Sequence, residues 1–145
     1  MFFSFGTKKK NDRDAGCDGR PKRILLVDDD PEILAYSQKC LFRYFDNIIV
    51  LIAFNGHDAL GKVESEKPDL VVLDVKMPGM DGHEAFAAIK EMELINPPKT
   101  LIISGFGDEI EQMAELGVDA VLPKPYSPAK LVESIESLLD IKAIQ

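Results

Sequence analysis

Residues 70–82 read Leu-Val-Val-Leu-Asp-Val-Lys-Met-Pro-Gly-Met-Asp-Gly. Four apolar residues are followed at once by Asp74 and then by a loop that contains Pro and Gly. A continuous Val/Leu run of this length is typical of a strand buried on both faces, as in a parallel sheet. Open α/β sheets bind their ligands at the carboxyl ends of such strands. The stretch therefore predicts a parallel sheet with Asp74 at its functional edge.

Four further apolar runs repeat this pattern, and amphipathic stretches separate all five. Strand–helix alternation of this kind predicts a doubly wound α/β sandwich of flavodoxin-like type, with a five-stranded parallel sheet and five helices. Right-handed crossovers favour the strand order 2-1-3-4-5. The five predicted strands span residues 23–27, 48–53, 69–73, 100–103 and 120–122.

The flanking residues indicate where the helices begin. Asp30-Pro31 supplies a capping carboxylate and a proline at the first helical position. Asp81 with Glu84 has the spacing of a capping box. Ser127-Pro128 opens the last helix in the same way as Asp30-Pro31 opens the first. These signals support a helical assignment of the stretches between the apolar runs.

Charge divides the chain of 145 residues into two parts. Up to residue 23 the sequence holds seven Lys/Arg and three Asp, whereas the remainder holds ten basic and twenty-two acidic residues. Residues 1–22 lack periodicity and predict a disordered basic tail. Residues 23–145 form the predicted folded domain, whose acidity argues against direct binding of nucleic acid.

Membrane insertion and disulfide bonding are both disfavoured. No apolar stretch approaches the roughly 20 residues that span a bilayer. Two cysteines in a chain of this length do not make a disulfide framework. Cys40 lies in a helical pattern and is expected to pack in the core. These features favour a cytoplasmic protein without a transmembrane segment.

Acidic and polar residues end the predicted strands. Asp28 and Asp29 follow the first strand, Asp74 ends the third, and Ser104 and Lys124 end the fourth and fifth. In the predicted order the first and third strands are neighbours, so the acidic pair meets Asp74. Clustered carboxylates repel one another without a cation. Oxygen ligands with room for water favour Mg²⁺ or Mn²⁺.

This set of groups is suited to phosphoryl transfer onto Asp74. A carboxylate oxygen is a nucleophile that can form an aspartyl phosphate. The transferred group carries charge on three equatorial oxygens, which the protein must position and neutralise. The metal ion, the Lys124 ammonium and the Ser104 hydroxyl would each bind one of these oxygens.

From about Lys22 to the end, the chain resembles the receiver domain of bacterial two-component response regulators, of the stand-alone, single-domain type. The resemblance rests on four segments in order, and Asn55-Gly56 with Ala59-Leu60 also looks like the second loop and helix of that family. The four segments are Leu26-Val27-Asp28-Asp29-Asp30-Pro31, Leu73 to Gly82, Ile103-Ser104-Gly105 and Lys124-Pro125-Tyr126.

The resemblance implies a role for each site residue. Asp74 would be the phosphoacceptor, Asp29 a direct metal ligand, and Asp28 a ligand acting mostly through water. The backbone carbonyl of Lys76 would complete the protein ligands. Ser104 would be the switch hydroxyl and Lys124 the lysine that pairs with the phosphate.

The resemblance also implies partners and a backbone feature. The phosphoryl donor would be a phosphohistidine on a sensor histidine kinase or a phosphotransfer protein. The domain would catalyse only its own phosphorylation and slow dephosphorylation, and is not otherwise an enzyme. The Lys124-Pro125 peptide bond is expected to be cis. The sequence names neither the kinase nor the downstream protein target.

The chain departs from the family at the switch. The family places Tyr or Phe three residues before the lysine, where this sequence has Val121, and Pro123 beside Lys124 is less usual. Phe106, between two glycines, is an alternative moving aromatic. No output domain follows in the sequence, so the signal is expected to leave through protein–protein contacts.

Two other functions remain open at this point. A phosphorylation-independent pseudo-receiver would bind partners without phosphate, and Val121 is the feature that keeps this alternative open. A haloacid dehalogenase-type phosphatase would use the Asp-x-Asp of Asp28 and Asp30. Pro31-Glu32 does not fit that motif, and the chain is short for the class.

Overall fold

The computed structural model describes residues 3–4, 19–105 and 109–144, with side chains from 19–105 and 111–144. Within these residues it contains one mixed sheet and five helices. The strands are β1 (Phe3–Ser4), β2 (Lys22–Val27), β3 (Ile48–Ala53), β4 (Leu70–Asp74), β5 (Lys99–Ser104) and β6 (Ala120–Pro123). The helices are α1 (Pro31–Tyr44), α2 (Gly56–Glu66), α3 (Gly82–Glu91), α4 (Glu109–Leu116) and α5 (Pro128–Leu139).

The sheet has the order β1-β6-β5-β4-β2-β3. Strands β2 to β6 are parallel and correspond to the predicted order 2-1-3-4-5, which is confirmed. The structure adds β1, which pairs antiparallel with β6 at the sheet edge and was not predicted. Two residues of β-structure at the N-terminus carry too little pattern to be recognised from sequence.

The predicted capping residues form the local contacts that begin the helices. The Asp30 carboxylate accepts a hydrogen bond from the Glu32 N–H at 2.9 Å, with Pro31 in the first turn. Asp81 and Glu84 form the reciprocal capping box, at 2.9 and 3.0 Å. Ser127 caps α5 through the N–H of Lys130. Each cap could be predicted from its motif, because each hydrogen bond joins residues only two or three positions apart.

Two apolar layers cover the faces of the sheet. On one face, α1 and α5 pack against alternate strand residues such as Ile24, Leu70 and Leu101. On the other, α2, α3 and α4 pack against residues such as Leu25 and Val71. Cys40 is buried in the first layer, as expected. Burial on both faces explains why β2 and β4 are continuous apolar runs.

The predicted tail is described at only a few of its residues. Phe3–Ser4 form β1 rather than unstructured chain, and β2 begins at Lys22, one residue before the predicted boundary. Residues 5–18 lie outside the described part. The division into a tail at 1–22 and a domain at 23–145 therefore stays a prediction.

In the described ranges, none of the helices combines the length and the apolar character needed to cross a membrane.

Candidate functional site at the carboxyl edge of the sheet

Asp28 and Asp74 lie side by side because β2 and β4 are adjacent. Val27 pairs with Leu73, and each acidic residue comes next in its strand direction. Only 7 % of Asp28 and 5 % of Asp74 is exposed to solvent. Asp29, the following residue, is exposed. The sheet thus holds two carboxyl groups together in a largely desolvated position with a third at its margin.

The environment of Asp28 disfavours its charge. Burial is the main cause that raises its pKa, to about 6, and the Asp30 N–H opposes the shift by donating to Oδ1 at 3.0 Å. The negative charge of Asp74 raises the pKa further, as do hydrogen-bonding contacts with the carboxyl groups of Asp74 and Asp29. Burial and the neighbouring carboxyl groups therefore favour the protonated form of Asp28.

Lys124 provides the positive charge beside Asp74. Its Nζ lies 3.1 Å from Oδ2 and 3.3 Å from Oδ1 of Asp74, so it bridges both carboxylate oxygens. The backbone N–H of Lys76 donates to Oδ1 at 3.2 Å. About 38 % of the Lys124 side chain is exposed, which leaves the ammonium room to move. Asp74 is thus oriented by one ammonium and one backbone donor.

The backbone of β5 and β6 positions Lys124. The Lys124 N–H donates to the Ser104 carbonyl oxygen at 2.6 Å. The Lys124–Pro125 bond is cis, which confirms the expectation. Ser104 is fully buried and pairs in register with Pro123, one residue beyond the Ile103 that pairs with Asp74. The predicted site residues from four strand ends therefore share one edge of the sheet.

Besides Ser104, the predicted switch positions are Phe106 and Val121, and the structure describes only Val121 of these two. Phe106 lies outside the described residues, so its predicted movement stays a prediction. Val121 is fully buried and packs in the layer that contains Met113 and Val118. It occupies an internal position on β6, opposite Ile102 of β5.

Gly82 has a structural role that the sequence analysis did not assign. A Cβ at this position would lie 2.6 Å from the Asp74 carbonyl oxygen and 2.8 Å from the Val75 Cα. The Gly82 N–H donates to the Val75 carbonyl at 2.9 Å. Glycine is required because the start of α3 lies against the backbone at the end of β4. The only sequence signal was a glycine directly after the capping Asp81.

Tyr126 is a second residue whose placement was not foreseen. Burial raises the pKa of its phenol, and the negative charges of Asp28 and Asp74 add to the shift. A hydrogen bond with Ser37 of α1 acts in the opposite direction. Tyr126 therefore lies against the acidic site and joins the loop after β6 to α1.

Two buried carboxyl groups and exposed Asp29 are the candidate side-chain ligands of a divalent cation. In the described ranges no three carboxylate, imidazole or thiol side chains are arranged to hold a metal ion. However, Asp28 and Asp74 bring two carboxyl groups together, and the pKa of Asp28 is raised first by its burial and then by this neighbouring charge. The predicted set needs only these carboxylates, exposed Asp29 and a backbone carbonyl of Lys76, since Mg²⁺ keeps several waters. The chemistry of the residues therefore fits a hydrated divalent cation.

Comparison with known proteins assigns the family. Residues 24–136 match the model for the response regulator receiver domain. The chain is 36 % identical over 120 residues to the alkaline phosphatase synthesis transcriptional regulatory protein PhoP of Bacillus subtilis (strain 168), covering 81 % of this chain and 48 % of PhoP. The chain thus spans about half the length of the curated relatives it matches.

Solved structures agree with this assignment. A response regulator signal receiver domain from Bermanella marisrubri is 35 % identical with a TM-score of 0.75, covering 83 % of this chain and 99 % of that chain. A CheY-like receiver domain protein from Methanospirillum hungatei JF-1 is 34 % identical with a TM-score of 0.72, covering 83 % and 94 %.

This chain belongs to the response regulator receiver domain family. Receiver domains are signalling domains of two-component systems, and magnesium binding is typical of the family. The pseudo-receiver and haloacid dehalogenase alternatives are not favoured by these similarities.

Proposed function

We propose that this domain accepts a phosphoryl group onto Asp74 from a phosphohistidine donor and transmits the change through protein–protein contacts. The observation that carries the proposal is the position of the Asp74 carboxylate. It is nearly buried at the end of β4, bridged by the Lys124 ammonium and adjacent to a second carboxyl group. The roles of the individual site residues below are part of this proposal.

The transfer step uses an Asp74 carboxylate oxygen as nucleophile. A bond forms between this oxygen and phosphorus as the phosphorus–nitrogen bond of the donor breaks. The electron pair of the broken bond leaves with the donor imidazole. Lys124 then moves its ammonium from the carboxylate to a phosphoryl oxygen, which requires little displacement because it already lies 3.1 Å from Oδ2.

Ser104 and the acidic pair support the same step. The Ser104 hydroxyl would donate to a second phosphoryl oxygen from the neighbouring strand end. Asp28, Asp29, Asp74 and the Lys76 carbonyl would hold Mg²⁺ or Mn²⁺. When bound, the cation supplies positive charge that offsets both the carboxylates and the phosphoryl oxygens. The domain would catalyse only its own phosphorylation and slow dephosphorylation.

The surface beside the site supports docking of the phosphodonor protein. Three apolar side chains are exposed around this edge: Ile33 and Tyr36 on the first two turns of α1, and Phe54 directly after β3. A groove of about 530 Å³ lies on the other side and is lined by Lys76 and Pro78 of the β4–α3 loop and by His83 of α3. A sensor histidine kinase or phosphotransfer protein would contact the apolar side chains while its phosphohistidine reaches Asp74.

The phosphorylated domain is proposed to act on a downstream protein target. The chain has a net charge of −8, which opposes direct binding to nucleic acid. Ser104, Phe106 and Val121 are the proposed switch positions. A phosphoryl group that binds the Ser104 hydroxyl would bias the following loop between two states. Action in the cytoplasm, where the donor kinase domain would lie, stays a prediction.

The test is labelling by a small acyl-phosphate donor with Mg²⁺. Asp74→Asn should abolish the label, because it removes the nucleophilic oxygen. Asp81→Asn is the matched control in the same loop, since Asn retains the capping interaction of α3 and should retain the label. EDTA should also abolish labelling. A label that persists in Asp74→Asn and maps to Asp28 would support the phosphatase alternative instead.

A second measurement separates a switch from a pseudo-receiver. Partners are captured with and without beryllofluoride, which mimics the bound phosphoryl group. A partner bound differently in the two conditions supports the proposal. Partner binding unchanged by beryllofluoride would support the pseudo-receiver.

A further inference from the structure

The outer edge of β6 carries a strand that the phosphoacceptor site does not use. Phe3 pairs with Val121 and Ser4 with Ala120, in antiparallel orientation. The other edge of β6 is filled by β5 in parallel orientation. The N-terminal segment Met1-Phe2-Phe3-Ser4-Phe5 holds three of the eight phenylalanines of the chain. Of this segment, the structure places Phe3 and Ser4 at the edge of the sheet.

The hydrogen-bonding directions along β6 define what the outer edge can accept. The Lys124 N–H donates toward β5, to Ser104. Backbone groups of successive strand residues point to opposite sides, so Leu122 also faces β5 and Val121 and Pro123 face outward. Pro123 has no N–H. Asp119, which precedes β6, donates its N–H to the Thr100 hydroxyl of β5 at 3.3 Å, so this N–H does not face the outer edge. Among these residues, Val121 offers the outward N–H.

A short edge of this kind matches a two-residue strand. Exposed edge groups pair readily with strands of other chains, and natural sheets limit this with proline, short edges or covering segments. Here Pro123 offers no N–H at the end of β6, and β1 pairs with Ala120 and Val121 earlier in the strand. The strand that β1 covers is apolar, and its residues Ala120, Val121 and Leu122 are all fully buried.

The same chain can supply the covering strand. Residues 5–18 connect β1 to the described chain that begins at Gly19. Extended chain spans about 3.3 Å per residue, so these fourteen residues reach up to roughly 46 Å. The separation of β2 from β1 across the sheet is four strand spacings, about 19 Å. Intrachain pairing therefore needs no second copy.

We propose that Phe3–Ser4 is an intrachain cap that closes the outer edge of β6 to strand addition by other chains. A protein that adds an extended apolar segment at this edge must first displace the cap. The inference rests on backbone pairing alone and is independent of phosphorylation.

Two proline substitutions in the full chain test the cap. Because Val121 faces outward, its partner Phe3 directs its N–H and carbonyl toward β6, whereas the Ser4 N–H points away. Phe3→Pro should remove the donor and release the cap, and Ser4→Pro should not. Hydrogen exchange of the Val121 amide should accelerate about tenfold in Phe3→Pro, the scale of a lost backbone hydrogen bond. It should remain unchanged in Ser4→Pro.

Addition of the segment as a peptide provides the second readout. A peptide of residues 1–7 at millimolar concentration should restore Val121 protection in Phe3→Pro, by adding a strand to the open edge. The same peptide with proline in place of Phe3 should not. The proposal is overturned if both proline variants exchange alike, or if the peptide gives no protection. Protection that increases with protein concentration would overturn the intrachain arrangement and indicate that a second copy supplies the strand.

Discussion

Two regions of the sheet differ in how their strands are paired. They are the carboxyl ends of β2 and β4, and the outer edge of β6. The first region lies in the middle of the sheet, where both strands are paired on both sides and Asp28 and Asp74 are nearly buried. The second lies at the margin, where a segment more than a hundred residues away in sequence supplies the partner. Central positions are constrained by many neighbours at once, whereas an edge depends on whichever segment reaches it.

The largest expected effect is at the centre. Gly82→Ala would place a methyl group 2.6 Å from the Asp74 carbonyl oxygen, and backbone cannot move aside as a side chain can. We expect the free energy of unfolding to fall by about 3 kcal/mol, as in other overpacked sites. Urea denaturation measures this change.

Gly61→Ala is the matched control for this substitution. Gly61 lies within α2, and a Cβ there would have no neighbour within 4 Å. Gly61→Ala should raise the free energy of unfolding by about 0.5–1 kcal/mol, because alanine is favoured over glycine in a helix. If the two variants changed stability in the same direction, close approach at Gly82 would not be the constraint.

The next effect concerns the charge of Asp28. Its pKa is raised by burial from 3.8 to about 6. The folded protein therefore binds more protons than the unfolded chain between these two values, so stability of the metal-free protein falls as pH rises through this window. Above the folded pKa the loss is complete and amounts to about 2 kcal/mol, since one pKa unit corresponds to about 1.4 kcal/mol and residual hydration reduces the total.

Asp28→Asn should remove this dependence. In EDTA, the variant should be more stable than the parent at pH 8 and equally stable near pH 4, and it should bind Mg²⁺ more weakly. Asp30→Asn, at the exposed cap of α1, should retain the parental pH profile. A parental profile in Asp28→Asn would show that the dependence arises from another group.

The smallest effect is expected at the edge. Val121→Tyr places a larger side chain in the layer of Met113 and Val118, where Val121 is fully buried. We expect a loss of about 1 kcal/mol, the lower end for overpacking, because α4 beside an edge strand can shift more easily than the central strands. Acyl-phosphate labelling should change little, whereas partner affinity should change more. Leu116→Tyr, at an exposed position on α4, is the control and should leave stability unchanged.

Most of the site could be predicted because its residues follow local signals. Each acidic or basic residue lies directly after an apolar run, and parallel strands bring such ends to one edge. Asp28, Asp74 and Lys124 therefore meet as predicted, although their roles in phosphorylation stay predictions. The contact of Gly82 with the Asp74 backbone could not be predicted, since it depends on how closely α3 approaches β4. The raised pKa values of Asp28 and Tyr126 likewise depend on burial in three dimensions.

By itself, the sequence determined the strand–helix alternation, the helix caps and the residues at the strand ends. These features depend on contacts between residues at most four apart, or on a repeat of apolar residues that the chain carries throughout. The tertiary structure decided which segment covers the edge of β6 and how closely α3 approaches Asp74. Both depend on backbone groups meeting at long sequence separation, and backbone N–H and carbonyl groups are the same in every residue except proline.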